Sequence, residues 1–308
     1  MADKIATRQA YGEVLVELGD NNENIVVLDA DLSKSTMTTH FEKACSDRFF
    51  NVGIAEQNLY GVAAGLAASG KTVFASTFAM FAAGRAFEII RNSIGYARLN
   101  VKICATHAGV TVGEDGGSHQ AIEDIALMRT IPGMTVLNPA DAVSAKKLIT
   151  AAAELNGPVY VRLGRAAVPV VYAENAEIQI GKGMCIRDGS DYAIIATGIM
   201  INEAMIAADK LSQEGISVRV IDMHTIKPID SEIIVKAAKE TKGIITCEEH
   251  TVIGGLGAAV AEVTAREYPA RIRMIGIMDK FGESGKPDEL MKKFNLTSDD
   301  IVQAVKSF

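Results

Sequence analysis

The chain is 308 residues long, 48% apolar and 22% charged, with a formal net charge of −7. At about 150 residues per domain this length suggests two domains, and the composition excludes a largely disordered chain. A whole-chain basic field is absent, so neither nucleic acid nor an anionic membrane is expected as the main partner; a local basic pocket for a small phosphate stays open.

The four cysteines, Cys45, Cys104, Cys185 and Cys247, lie far apart and form no CxxC. Neither a zinc site nor a disulfide framework is indicated, and reduced thiols fit a cytoplasmic setting. The N-terminal Met-Ala-Asp-Lys lacks the apolar core of a signal peptide. The most apolar stretches, near Val62–Ala68 and Phe78–Ala83, are too short for a bilayer, which needs about 20 residues.

In chain order, short β-branched runs predict strands at Ile25–Asp29, Phe49–Gly53, Thr72–Ala75, Val101–Thr106, Met134–Leu137 and Val159–Leu163. Helical spacing predicts helices at Thr7–Leu18, Glu56–Ala68, Ala79–Ser93, Gln120–Arg129 and Ala142–Ala153. From about Arg165 to Asp191 the rhythm breaks at Pro169 and several glycines. This reads as an interdomain connection with room for a short strand or two. Further strands are expected at Tyr192–Ala196, Val218–Ile221, Gly243–Glu248 and Arg271–Ile275. Further helices are expected at Ile201–Gln213, Ser231–Glu240, Leu256–Arg266, Asp288–Phe294 and Ser298–Lys306. The alternation makes the fold class α/β, with two doubly wound domains: 1–170, built on a mostly parallel sheet, and a smaller 186–308.

In open parallel sheets, ligands bind beyond the carboxyl ends of the strands. The residues that follow the predicted strands include Asp31, Leu32 and Ser35, then Glu56, then Phe78 and Phe81, then His107, Asp115 and His119, and finally Arg165. Neutral structural turns rarely collect so many ionisable groups, so one small-molecule site is expected at this edge. Each residue also has a plainer role. Glu56 at a helix start complements the dipole. Phe78 and Phe81, three residues apart, suit a core. Asp115 between glycines suits a turn, and Arg165 suits a surface. His107 and His119 lack a third ligand at metal-like spacing. Gly254-Gly255-Leu256-Gly257 precedes a helix and can form an anion nest. No dinucleotide fingerprint and no Walker loop occurs.

Together these segments resemble transketolase. Phe49-Phe50-Asn51-Val52-Gly53-Ile54-Ala55-Glu56-Gln57-Asn58 is similar to that family's thiamine-diphosphate motif, and Ser76-Thr77-Phe78-Ala79-Met80-Phe81 to its aromatic pyrimidine pocket. Thr106-His107 with Gly113-Glu114-Asp115-Gly116-Gly117-Ser118-His119-Gln120 resembles its sugar-binding loop, and Phe281-Gly282-Glu283-Ser284-Gly285 the start of its C-terminal tail. The resemblance runs from Ala6 onward. It implies thiamine diphosphate as cofactor and transfer of a two-carbon glycolaldehyde unit from a ketose phosphate to an aldose phosphate. Glu56 then corresponds to the glutamate on the aminopyrimidine, Phe78 and Phe81 to the aromatics packing on its face, and Asp31 and Leu32 to a cofactor-contacting pair. His119 corresponds to the histidine at the first sugar hydroxyl and Asp115 to the aspartate reading the second. Arg8, Ser35, His107 and Arg165 correspond to the groups that hold the sugar phosphate. Gly84 departs from the family, where many members carry a tyrosine three residues past the second Phe.

In this family a further half, with a Gly-Asp-Gly motif, holds the diphosphate and a divalent metal, Mg²⁺ or alternatively Ca²⁺ or Mn²⁺. This chain has no Gly-Asp-Gly. The resemblance is therefore to the C-terminal subunit of a split transketolase, which implies a separate N-terminal subunit and an α2β2 heterotetramer. Small residues along Gly61–Ala68 are compatible with close subunit approach or with packing on the chain's own sheet. The alternatives are the beta subunit of a 2-oxo-acid dehydrogenase decarboxylase, a deoxyxylulose-phosphate synthase fragment, a split transketolase for an unusual sugar, and a non-catalytic transketolase-like subunit. His107, Asp115 and His119 speak against the first, the Phe281–Gly285 tail against the second, and the presence of Glu56 and His119 against the last.

Overall fold

The structure is a computed structural model describing residues 4–308. Residues 1–3, the start of the expected first domain and of the N-terminus read for a signal peptide, lie outside the described residues. Runs of Val, Ile and Thr form the strands because a pleated, half-buried surface accommodates branched side chains. The strands are β1 Lys4–Ala6, β2 Ile25–Asp29, β3 Phe49–Asn51, β4 Thr72–Phe78, β5 Val101–Thr106, β6 Thr135–Leu137 and β7 Val159–Arg162. They continue with β8 Ala167–Pro169, β9 Met184–Arg187, β10 Tyr192–Ala196, β11 Val218–Asp222, β12 Thr225–Lys227, β13 Ile244–Thr251 and β14 Ile272–Ile277.

The first sheet has the order β12-β6-β7-β5-β4-β2-β3 and is parallel except for β12. The second has the order β14-β13-β10-β11-β9 and is parallel except for β9. Both sheets are wound in two directions, as the α/β reading expects. In the first, the chain leaves β2 toward β3 and then returns to β4 on the other side. That makes the β2/β4 boundary the switch point where a ligand crevice opens.

Helices Thr7–Asn21 and Ala142–Glu154 cover one face of the first sheet, and their core merges with that of the second domain through Leu148, Leu163, Tyr172, Ile194 and Met200. Glu56–Ala68 and Asp124–Thr130 cover the other face. Asp141 shows how locally this arrangement is written. One carboxylate oxygen caps Ser144 N–H at 2.8 Å; the other accepts from Val171 and Tyr172 N–H at 2.7 and 2.9 Å. The helix start and the interdomain connection therefore share one side chain.

Several expectations are corrected. β4 runs on past Ala75 to Phe78, because its neighbours β2 and β5 continue to pair with Ser76, Thr77 and Phe78. β3 stops at Asn51, whose side chain turns to the loops beside it, and Gly53 takes a positive φ of 74°. The helix expected at Ala79–Ser93 is two wide π-turn segments, Phe81–Arg85 and Ile90–Gly95, around a short α piece. The helix expected from Gln120 starts at Asp124, because the Gln120 amide is spent on loop carbonyls. The Arg165–Asp191 connection does carry two short strands, β8 and β9. β12 has no counterpart among the expected strands. It leaves the second domain's chain to extend the first domain's sheet, anchored by Lys227 Nζ donating to Arg129 O and Ile131 O at 2.8 and 2.6 Å.

The domains are clasped by a buried arginine that is ion-paired within the first domain and hydrogen-bonded to the backbone of the second. Arg162, at the end of β7, donates from Nε to Asp124 Oδ2 at 2.8 Å and from its terminal nitrogen to Ala121 O and Glu249 O at 3.2 and 2.9 Å. Tyr160 hydroxyl donates to the same Asp124 oxygen at 2.7 Å. Arg162→Met should cost about 3–5 kcal/mol, since it leaves the Asp124 carboxylate buried and uncompensated. Urea denaturation of Arg162→Met and of Arg162→Met/Asp124→Leu measures this; the double variant should regain part of the loss. A single variant within about 1 kcal/mol of the parent would contradict this account.

Candidate active site

The crevice at the β2/β4 switch point is built by turns with few alternatives. Asp29, the last residue of β2, is fully buried and accepts from Leu32 N–H at 2.6 Å, Thr36 hydroxyl at 2.6 Å and Thr38 hydroxyl at 2.9 Å. Burial pushes its pKa up to about 6 despite these donors. The next turn puts Asp31 at φ +63°, and Asn51 Oδ1 accepts from both Asp31 N–H and Gly53 N–H at 3.1 and 3.0 Å. Asp31 is thus held over the strand end by β3's last residue and Leu32 by β2's.

Across the crevice, Phe78 ends β4 and pairs with Thr106 in the ladder. His107 follows with a left-handed φ of 58°, which folds its ring back onto Phe78 at 3.9 Å between centroids. Phe81 stacks on Phe78 at 5.8 Å, and His119 meets Phe81 edge-on at 5.5 Å. Four of the predicted residues therefore form one aromatic cluster, in geometries that aromatic rings favour. Thr106 hydroxyl lies 2.9 Å from His107 Nδ1, and Ser118 hydroxyl 3.0 Å from His119 Nδ1.

Glu56 is the first residue of its helix and only 3% exposed; its carboxylate pairs with the Arg85 guanidinium at 3.2 Å. Arg85 also lies 5.3 Å over the Phe81 ring. The wide turn brings Arg85, not Gly84, over Phe81. A Cβ on Gly84 would lie 3.0 Å from Met80 Cε, so Met80 fills the space a larger residue would take.

The cationic groups converge nearby. Arg8 donates to Ser35 O at 2.6 Å, and its Nε is buried with no protein partner among the described residues. Arg165 donates to Val112 O and lies 3.6 Å from Glu114. Burial, and then the proximity of Arg165, lower the Arg8 pKa. Burial, Arg8, Arg165 and His119 in that order push His107 down to about 3. Two guanidiniums beside a neutral imidazole, one with a spare N–H, form a place for an anion with several oxygens. Asp115 is exposed on the same loop, and among the described residues its carboxylate has no hydrogen-bond partner. No group of three His, Cys, Asp or Glu among the described residues is arranged to hold a metal.

Arg85, Asn51, Gln120 and Glu249 take part in this architecture, and sequence pattern singles out none of them as a site residue. Asn51 lies inside the thiamine-diphosphate-like motif, and the wide turn that recruits Arg85 has no signature in hydrophobic spacing. The possible anion nest is corrected: Glu248 fills it, accepting from Leu256 and Gly257 N–H at 2.6 and 2.8 Å.

The transketolase pyrimidine-binding domain family matches residues 3–170, and the transketolase C-terminal domain family matches residues 181–301. The chain belongs to the transketolase family. A Methanocaldococcus jannaschii protein with the name "Putative transketolase C-terminal section" is 54% identical over 97% of this chain and 94% of its own length. A Clostridium protein named 6-deoxy-6-sulfo-D-fructose transketolase subunit SqwH is 41% identical over 96% of this chain and 92% of its own length. A solved structure described as a split gene transketolase, inactive beta4 tetramer, superposes with a TM-score of 0.93 at 57% identity, covering 98% of each chain. The chain spans about half the length of the mammalian transketolases it also matches, 49% of each.

Transketolases imply thiamine diphosphate and a divalent metal. The residues here fit the pyrimidine end of that cofactor: a buried carboxylate whose ion-pair partner is a half-exposed arginine, beside two stacked phenylalanines.

His107 provides a test of the electrostatics. Its folded-state value of about 3 lies below the ordinary 6.5, so the fold favours the neutral ring. Its contribution to stability is complete above pH 6.5 and is lost as pH falls toward 3. Proton NMR of the imidazoles should show no His107 inflection above about pH 4, and Arg8→Gln/Arg165→Gln should move its midpoint upward. A midpoint near 6.5 in the parent chain would refute the assignment.

Proposed function

We infer that this chain is the C-terminal subunit of a split, thiamine-diphosphate-dependent transketolase. It would transfer a glycolaldehyde unit from a ketose phosphate to an aldose phosphate in the cytoplasm, within the pentose phosphate pathway. The observation that carries this reading is the buried Glu56 beside stacked Phe78 and Phe81, with the Arg8, His107 and Arg165 cluster close by. The first group suits an aminopyrimidine and the second a sugar phosphate. The working units are the pyrimidine-binding domain at 1–170 and the C-terminal domain at 186–308. The partner is a separate N-terminal subunit carrying most of the diphosphate and Mg²⁺ contacts, in an α2β2 assembly. Coverage of about half of full-length relatives supports that division, as does the inactive state given for the related beta4 tetramer.

The mechanism follows from what each side chain can do. When bound, the cofactor supplies the nucleophilic carbon and the stabilisation of carbanion charge. Glu56 would hold the aminopyrimidine, keeping a proton at a ring nitrogen. Phe78 and Phe81 orient the ring and exclude water from its face, and Asp31 and Leu32 close the β2 side. Arg8, Ser35 and Arg165 hold the phosphate, with neutral His107 donating a hydrogen bond. His119 moves a proton at the first sugar hydroxyl. Asp115 accepts from the second and so selects its configuration. Holding these groups at fixed separations gives the orientation on which the rate depends.

A second reading has one specific support, the similarity to a sulfosugar transketolase subunit. A sulfonate offers three oxygens to the same guanidiniums, so a 6-sulfo ketose is the alternative donor.

The deciding assay is transfer from xylulose 5-phosphate to ribose 5-phosphate, with thiamine diphosphate and Mg²⁺. Activity should require the N-terminal partner and fall roughly 10²–10⁴-fold in Glu56→Ala. Full activity of this chain alone would overturn the division of labour. An inactive but assembled mixture that works on a 6-sulfo ketose would select the second reading.

A further inference from the structure

The segment carrying Asp115 and His119 has little structure of its own. Between Gly109 and Gln120 there is a single 3-10 turn, Val110–Val112, and Gly109, Gly113 and Gly116 all adopt positive φ. Its own backbone bonds, Gly116 N–H to Gly113 O at 3.1 Å and His119 N–H to Gly116 O at 2.9 Å, shape the turns locally, while their placement over the crevice depends on what the loop packs against.

The second domain does so at two places. Glu249 of β13, itself buried, accepts from Thr111 N–H at 2.6 Å. Its carboxyl group lies flat against Gly109, where a Cβ would come within 2.2 Å of Glu249 Cδ. The Gly282–Ser284 turn forms the other support. Gln120 Nε2 reaches Val110 O and Gly113 O within the loop and Glu283 O at 2.8 Å outside it. Ser284 hydroxyl donates to Glu114 O at 2.7 Å, one residue before Asp115. Gly117 and Gly282 pack backbone to backbone, a Cβ on Gly117 falling 2.5 Å from Gly282 O.

We propose that the C-terminal domain takes part in sugar recognition, with Glu249 and the Gly282–Ser284 turn as positioning groups. They set the loop that presents Asp115 and His119 without touching sugar or cofactor themselves. What the loop binds rests on the transketolase reading; how it is held does not. The supports touch the loop, whose His119 meets Phe81 edge-on, while the Glu56–Arg85 pair and the Phe78–Phe81 stack are themselves made by residues outside it. Sugar affinity and cofactor affinity should therefore separate when a support is removed.

The test uses the assembled two-subunit protein. Ribose 5-phosphate binding is measured calorimetrically without turnover, thiamine diphosphate affinity separately, and then KM and kcat for transfer. Glu249→Ala should weaken sugar phosphate binding and raise its KM about tenfold, with cofactor affinity within twofold of the parent. Glu249→Gln keeps an acceptor for Thr111 N–H and should restore the sugar KM. Ser284→Ala, at an exposed turn, should raise the KM about threefold, and it carries the test if Glu249→Ala fails to fold. Unchanged sugar binding in the variants would overturn the proposal, as would sugar and cofactor affinity falling together. Absence of transfer in the parent, with ribose 5-phosphate binding still sensitive to Glu249, would instead count against the transketolase reading.

Discussion

The arrangement of the two domains depends on one buried charge. Arg162 is a guanidinium without solvent, and it is tolerable there only because Asp124, Ala121 O and Glu249 O together accept its hydrogens. Those acceptors belong to three pieces of chain: the first turn of a helix on the first sheet, the segment leading into it, and a strand of the second sheet. Tyr160, two residues earlier and so on the same face of β7, shares the Asp124 oxygen. Glu249 carries the consequence outward. Its carbonyl answers Arg162 while its carboxylate answers Thr111 in the Gly109–Gln120 loop. His250 extends the network as a neutral ring: its Nε2 accepts from Ile125 N–H at 3.1 Å, and burial lowers its pKa to about 4. Its 3.9 Å approach to Asp124 is accordingly not an ion pair.

An acidic chain that concentrates Arg8 and Arg165 around one imidazole works against its own electrostatics. Each guanidinium disfavours the other and both disfavour protonation of His107. The nearest counter-charge, Glu114, is 62% exposed and 3.6 Å from Arg165, so solvent screens much of its help. Repulsion of this kind is relieved by a bound anion. The rest of an acidic chain, with a formal net charge of −7, does not extend this positive field beyond the pocket.

Much of this is legible in the sequence, for identifiable reasons. The alternation of branched and amphipathic runs encodes a parallel sheet, and parallel sheets put ligands at one edge. Asp31, Glu56, Phe78, His107 and Arg165 are therefore gathered by the order of the chain alone. Periodicity cannot show the wide turns after Phe81, because an extra residue per turn leaves the apolar pattern nearly unchanged over so short a stretch. Nor can it show β12, a three-residue strand whose partner, β6, belongs to the other domain. Gln120 has a helix former's propensity, yet three carbonyls compete for its amide and tertiary context prevails.

The second domain has the same winding as the first, and its switch point lies between β10 and β13. There much of the space is taken by the chain itself, although Asp222 Oδ1 and Thr246 Oγ1 stay without a hydrogen-bond partner among the described residues. Gly198 lies so close to Asn138 of the first domain that a Cβ would come within 2.7 Å of its amide. Tyr172 hydroxyl donates to Asp222 at 2.7 Å, and burial pushes that carboxyl up to about 8. Glu248 takes the helix N-terminus that the glycine-rich turn would otherwise offer to an anion. The positions that form the open crevice of the first α/β domain are, in the second, largely filled by the chain's own side chains. What the second domain turns toward the crevice is therefore a set of acceptors and donors aimed at backbone. That chemistry suits holding a loop in place, as the proposal for Glu249 and the Gly282–Ser284 turn requires.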